Sequence, residues 1–260
     1  VDAFFLLAAL GSAGALAVMR ALRPRSALIP YIRDCLIVFA AMFVLRCFFY
    51  EWFRIPSSSM EPTLRAGDFV IVDKNDYGVS LPFVDGKLTE GRLPSRGEIA
   101  VFRYPSDPGV FYIKRVIGLP GDRLSYREDR VYVEGERLGY VFPPEPPGAA
   151  DGEIPLTASE VAWEGIPGEG WHAVRLSRRL IQNALYPIAD REPGCETRQF
   201  VEFRSELACE IPEGHLFVLG DNRHHSSDSR VWGFVPVGNL VGPAFRIIFS
   251  VSGLERIGND

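Results

Sequence analysis

Histidine and cysteine are scarce in this chain, four of each among 260 residues. No two cysteines form a CxxC pair, and no carboxylate–histidine spacing accompanies the adjacent His224 and His225, so neither zinc nor another metal is expected. Basic residues do not dominate either. The 28 Lys and Arg stand against 33 Asp and Glu, and a net charge of −5 gives no general case for nucleic-acid binding. Internal repeats and low-complexity tracts are missing. No long amphipathic helix is evident beyond residue 53, where Arg178–Ala184 is the one short candidate.

Uncharged apolar sequence, in contrast, is concentrated at the N-terminus. Ala3–Met19 holds 17 residues without a charge; as a helix it reaches about 26 Å, close to a bilayer core of about 30 Å. A second run, Cys35–Tyr50, carries only Arg46, placed near its far end where the side chain can snorkel. Tyr50 and Trp52 suit the aromatic belt of a membrane interface. A cleaved signal peptide would need basic residues before the first run; only Asp2 precedes it and the arginines follow it, so the run reads as a true span. Arg20, Arg23, Arg25 and Arg33 lie between the runs with no acid until Asp34. The excess of positive charge places this loop in the cytoplasm. The reading is thus a multi-pass membrane protein, with spans over 1–19 and 34–53, a cytoplasmic loop over 20–33, and all that follows outside.

Cys35 and Cys47 fall in the second run, whereas Cys195 and Cys209 fall in the exported region. An oxidising compartment favours a bond between the latter pair, worth about 3 kcal/mol by chain entropy, with two free thiols as the alternative.

The exported region is predicted mainly β. Short runs rich in β-branched and aromatic residues recur at Phe69–Val72, Ile99–Arg103, Val110–Ile117, Val131–Val133, Leu216–Leu219 and Phe245–Phe249, with Gly, Pro and Asp between them. The expected arrangement is a β-barrel-like core from 54–125 and 211–260. Residues 126–210 form a smaller inserted β-rich domain, of which 142–170 is rich in Pro, Gly and Glu.

Three stretches carry chemistry. Ser57, Ser58 and Ser59 form a turn just beyond the second apolar run. A serine hydroxyl is a weak nucleophile and needs a base. Lysine can act only when neutral, a state held by on the order of 0.1% of ordinary lysines near neutral pH, and desolvation raises that share. Lys114 sits in the run Val110–Ile117, where strand alternation sets it with Val110, Tyr112 and Val116 and turns Arg115 to the other face. The third stretch, Gly220–Arg230, is dense in hydrogen-bonding groups.

Together these stretches resemble the bacterial type I signal peptidases. The resemblance rests on Pro56–Leu64, on Tyr112–Asp122, and on Gly220–Arg230 continued by Val231–Pro236, in that order behind two apolar runs. It implies a serine endopeptidase with a Ser/Lys dyad that cleaves signal peptides from exported preproteins after small residues, without metal or organic cofactor. Ser59 would be the nucleophile and Lys114 the general base. Ser57 would join the Ser59 N–H in an oxyanion hole. Ser226 would orient the lysine, and Asp228 and Arg230 would form a structural pair beside the site. Phe53, Ile55, Leu64, Tyr112 and Ile113 would line apolar subsites. Two positions depart from the family pattern, His224-His225 and Phe111. The implied partners are preproteins and membrane lipid, near the secretion translocon. A specialised processing peptidase for conjugation or pilus proteins and a non-catalytic membrane-anchored binding module are the alternatives. The topology has a direct test: a reporter enzyme that works only in an oxidising compartment, fused after residue 260, is expected to be active. Activity of a cytoplasmic reporter there, with silence of the first, would reverse the orientation.

Overall fold

The computed structural model describes residues 29–78, 87–127, 130–141, 160–166, 170–176, 194–201, 204–251 and 253, together with Gly11, Gly14 and Ala17. Most of the predicted first span, most of the loop 20–33, and the short helix expected at 178–184 lie outside the described residues. The chain divides into two compact units, 1–51 with 73–91, and 52–72 with 92–260.

In the first unit α1 covers Ile29–Phe48, with Pro30 in its opening turn, where a missing N–H breaks no helical bond. The sequence places this helix at 34–53; it begins earlier and stops sooner. Tyr50–Arg54 is instead a strand, β1. Its residues Tyr, Trp and Phe favour a pleated surface, and strand pairing wins over a longer helix. Arg33, Asp34 and Arg46 fall within α1, and no helix among the described residues is long and apolar enough to cross a membrane.

The second unit is mainly β, as the composition of its apolar runs implies. A seven-stranded sheet contains β1, β2 (Phe69–Asp73), β3 (Ile99–Tyr104), β4 (Asp107–Gly118), β13 (His215–Leu219), β14 (Val235–Pro236) and β15 (Leu240–Phe249). They pair in the open order β1-β2-β15-β3-β4-β13-β14. Alternation buries Val70 and Val72 of β2 against Ile55, Met60, Leu64, Val101, Ile113 and Ile247.

The inserted segment builds two further sheets. One has the order β11-β12-β5-β6-β7, from β5 (Arg123–Arg127), β6 (Arg130–Val133), β7 (Glu136–Arg137), β11 (Cys195–Val201) and β12 (Arg204–Glu210). The other joins β8 (Gly139–Val141), β9 (Glu160–Ile166) and β10 (Gly170–Leu176). The five-stranded sheet starts at Arg123, three residues before the expected boundary at 126. The turn Leu119–Asp122 sets this start: Asp122 accepts from the Leu119 N–H at 2.6 Å, and Gly121 takes a left-handed φ of 84°. Entry and exit of the insertion are stitched together, since Gly121 N–H donates to Ile211 O and Ile211 N–H to Asp122 O, both at 2.9 Å. A second core joins the sheets through Ile117, Leu124, Tyr126, Leu207, Phe217 and Phe234.

Cys195 and Cys209 face each other across β11 and β12 with Cα atoms 4.1 Å apart, and a disulfide joins them within this second core. A proteolytic digest without reductant is expected to contain the linked peptides. Alkylation of both thiols in freshly isolated protein would rule the bond out. Replacing both cysteines with serine is expected to lower stability by up to about 3 kcal/mol in denaturant titration.

Candidate active site

The serine turn is fixed at both ends by backbone bonds. Ile55 N–H donates to Asp68 O and Gly67 N–H to Ile55 O, each at 2.8 Å. Inside the turn Glu61 N–H reaches Ser58 O at 3.1 Å and Leu64 N–H reaches Met60 O at 2.9 Å. Met60, fully buried in the apolar cluster with Ile55 and Leu64, anchors the residue next to Ser59. An apolar side chain thus holds a polar neighbour in place.

β4 brings the lysine to this turn. Lys114 pairs with Ala100 of β3, and its Nζ lies 2.7 Å from Ser59 Oγ and 3.0 Å from its neighbour's carbonyl, Ile113 O. The two side chains sit 55 residues apart in sequence and are both buried, at 4% exposure for Lys114 and 7% for Ser59. Burial lowers the Lys114 pKa from its ordinary value to about 8, against the upward pull of Asp228 and Asp221 and with a smaller downward push from Arg230. The amine also stands 5.5 Å from the centre of the Tyr112 ring. Ser57 Oγ lies 3.3 Å from Ser59 Oγ, so all three hydroxyl and amine groups converge on one point.

The loop after β13 closes the site from the other side. Gly220 is irreplaceable on steric grounds, because a Cβ there would stand 2.2 Å from Ser226 Oγ and 2.5 Å from Ser59 O. Asn222 holds the serine turn twice: its N–H donates to Ser59 O and its Nδ2 to Ser58 O, both at 3.1 Å. Asp228 accepts from Gly220 N–H at 3.0 Å and caps the short helix α2 (Ser229–Trp232). Arg230 forks Asp228 with two bonds of 2.8 Å and donates to Arg223 O at 2.6 Å and Tyr126 Oη at 3.1 Å. Burial alone would push the Asp228 carboxyl up; Arg230 outweighs it and holds it below the usual range.

Not every expected role appears in this arrangement. Ser226 packs against Gly220, and its Oγ makes no hydrogen bond to Lys114; it lies toward the Asp228 carboxylate, which it helps to keep ionised. The lysine is held by Ser59 and Ile113 O. Phe53, Ile55, Leu64 and Ile113 do gather in one apolar cluster. Tyr112 belongs to a different group: its ring stacks on Tyr104 at 4.6 Å and meets Trp232 edge-on at 6.1 Å. Its strand position, one residue from Ile113, turns it to the opposite face. His225 is exposed and His224 half-buried, and the Asp228 carboxylate is taken up by Arg230 and Gly220.

A buried group beside the dyad was not foreseen from sequence. Arg115 forks Asp221 at 2.8 and 2.7 Å, and Thr63 donates to the same carboxylate at 2.5 Å. Arg115 holds the fully buried Asp221 ionised despite desolvation. Strand alternation does turn Arg115 away from Lys114, and a buried arginine demands an acid; which acid answers is a matter of tertiary structure.

Comparison with known proteins gives the family. The family model described as signal peptidase, peptidase S26, matches residues 28–249. Signal peptidase I of Pseudomonas aeruginosa is 39% identical over 245 residues, covering 90% of this chain and 77% of that protein. The Haemophilus influenzae enzyme of the same name is 32% identical, with 86% and 69% covered, and that of Aquifex aeolicus 31%, with 83% and 81%. A crystal structure of a signal peptidase I from Enterococcus faecalis shares 25% identity over 58% of this chain and 97% of that one, with a TM-score of 0.30. With a buried serine–lysine pair in the order and spacing that the serine, strand and loop motifs lay down, and with relatives this similar over most of its length, the chain belongs to the signal peptidase family, peptidase S26.

Proposed function

We propose that this signal peptidase cleaves its preprotein substrates through a Ser59–Lys114 dyad. One observation carries the assignment: the 2.7 Å contact between a buried amine and a buried hydroxyl, with the amine's pKa lowered to about 8 by desolvation. About one lysine in ten is then neutral at pH 7, against fewer than one in a thousand for an ordinary lysine.

The neutral Nζ accepts the Ser59 proton as Oγ attacks the carbonyl carbon of the scissile peptide bond. The negative charge that develops on the carbonyl oxygen is met by the Ser59 N–H and the Ser57 hydroxyl, donors of a kind worth roughly 10²–10³ in rate each. The resulting Lys114 ammonium returns its proton to the leaving amine as the C–N bond breaks. Water, activated by the same amine, then releases the acyl group from Ser59. Asp228–Arg230 and Arg115–Asp221 brace the walls of the site. The apolar cluster of Phe53, Ile55, Leu64 and Ile113 supplies contacts for small side chains, and Tyr112 borders the lysine on its own face of β4. The membrane topology of two spans, the proximity to lipid and translocon, and the organisation into a catalytic core with an insertion belong to the same proposal.

Two measurements test it. With a purified preprotein in detergent, Ser59→Ala and Lys114→Ala are each expected to lower turnover by at least about 10³-fold, while His224→Ala/His225→Ala keeps most of it. Near-normal turnover by Lys114→Ala together with a dead double-histidine variant would move the base to histidine. The pH dependence follows from the sign of the shift. A base works only after losing its proton, so kcat/KM should rise about tenfold per pH unit below the Lys114 pKa and level off above about 8. A flat profile between pH 6 and about 9 would exclude a lysine base. In a peptide library, cleavage is expected after Ala, Gly or Ser, with a small or medium aliphatic residue two positions earlier. Efficient cleavage after Lys or Phe would sink that specificity.

A further inference from the structure

The hairpin β9–β10 of the insertion reaches the catalytic loop through its backbone. Arg175 N–H donates to Asp221 O at 2.8 Å and Arg223 N–H donates to Arg175 O at 3.0 Å, so Arg175 and Asn222 form a parallel bridge. Asn222 is the residue that holds the carbonyls of Ser58 and Ser59. The hairpin thus reaches the nucleophile's own turn through one intervening residue, and Thr63 of that turn also donates to Ala173 O at 3.4 Å.

Two ion pairs lock this bridge from opposite sides. Arg175 Nη1 reaches Glu61 Oε2 at 2.5 Å, two residues beyond Ser59. Glu164 of β9 forks Arg223 at 2.8 and 2.5 Å, with both side chains fully buried. Arg223 holds the Glu164 carboxyl far below its usual range although burial opposes ionisation. None of these charges touches the reacting atoms, yet their common target is the loop that fixes Ser59.

Resting on the dyad reading, we propose that the β9–β10 hairpin is a positioning element for catalysis: Arg175 and Glu164 hold Asn222, and through it the Ser59 turn, at the distance Lys114 requires. A displacement of about 1 Å at a nucleophile costs up to roughly a hundredfold in rate. The hairpin would thus act on turnover and leave substrate affinity untouched.

The test measures kcat, KM and Tm for the full chain in detergent with a purified preprotein. Arg175 is about a third exposed at its side chain, so Arg175→Ala is expected to fold with little change in Tm. Its kcat should fall by about ten- to a hundredfold with KM within about twofold of the parent. Arg175→Glu should be worse, and Arg175→Glu/Glu61→Arg should recover part of the loss. Glu164→Gln should repeat the kcat defect; if that variant does not fold, Arg175→Ala and the charge swap decide alone. A kcat within about twofold of the parent for Arg175→Ala, or a raised KM at unchanged kcat, would overturn the inference. Ser59→Ala runs alongside: if it is inactive while Arg175→Ala is normal, only the hairpin's role fails, and if it is active, the dyad reading fails as well.

Discussion

An amine that must stay neutral in a protein full of charges is the constraint on which this site depends. In the proposed dyad Lys114 serves as a base because it is buried, and burial is useful only if no carboxylate restores the proton. Two carboxylates, Asp221 and Asp228, stand close enough to raise its pKa. Each is matched by its own guanidinium, Arg115 and Arg230. Arg230 also opposes the proton on Lys114. The arginine–aspartate pairs brace the loops around the serine, Arg230 offsets part of the carboxylate pull on the lysine, and desolvation outweighs the rest.

Such an arrangement is costly in isolation. A buried ion pair gains little over a well-packed apolar pair, but removal of one partner strands the other at a cost of about 3–5 kcal/mol. Against a typical stability of about 5–15 kcal/mol, the loss of either half of Asp228–Arg230 or Glu164–Arg223 threatens the fold as much as the chemistry. Bonds to backbone carbonyls reduce the cost. Arg230 also donates to Arg223 O, Arg115 to Gly97 O and Arg223 to Gly220 O. Guanidinium groups suit this task because their several N–H donors can serve a carboxylate and a carbonyl at once.

Much of this was legible in the residues. All six β runs fall within strands, because β-branched and aromatic composition between turn residues is a local property. Motif order puts Ser59 and Lys114 forward as a pair, and the fold brings the two side chains to 2.7 Å in an apolar surround. Other features depend on distant partners. The strand at Tyr50–Arg54 forms because β2 lies beside it, which no apolar count over 34–53 reveals. The individual strands β9 and β10 are not legible within the β-rich segment 126–210, because Glu164, His172 and Arg175 look like solvated polar residues until the loop with Arg223 and Asn222 docks on them. Tyr112 was grouped with the apolar contacts next to it in sequence, although the pleat sends it to the other face of β4.

β4 has one more consequence. It carries Lys114 toward Ser59 and, one residue on, Arg115 toward Asp221. These neighbours share a charge at low pH but differ in whether they can ever discard it, since a guanidinium keeps its proton at any physiological pH. A strand that slips by one position exchanges its two faces. Were β4 to slip by one residue along β3, the place of Lys114 at the nucleophile would fall either to Arg115, a permanent cation, or to Ile113, which has no base at all. Every hydrogen bond of the ladder could survive and the enzyme would still be inert. Activity here is a matter of parity: whether an even or an odd count of residues separates the tip of one hairpin from its functional side chain.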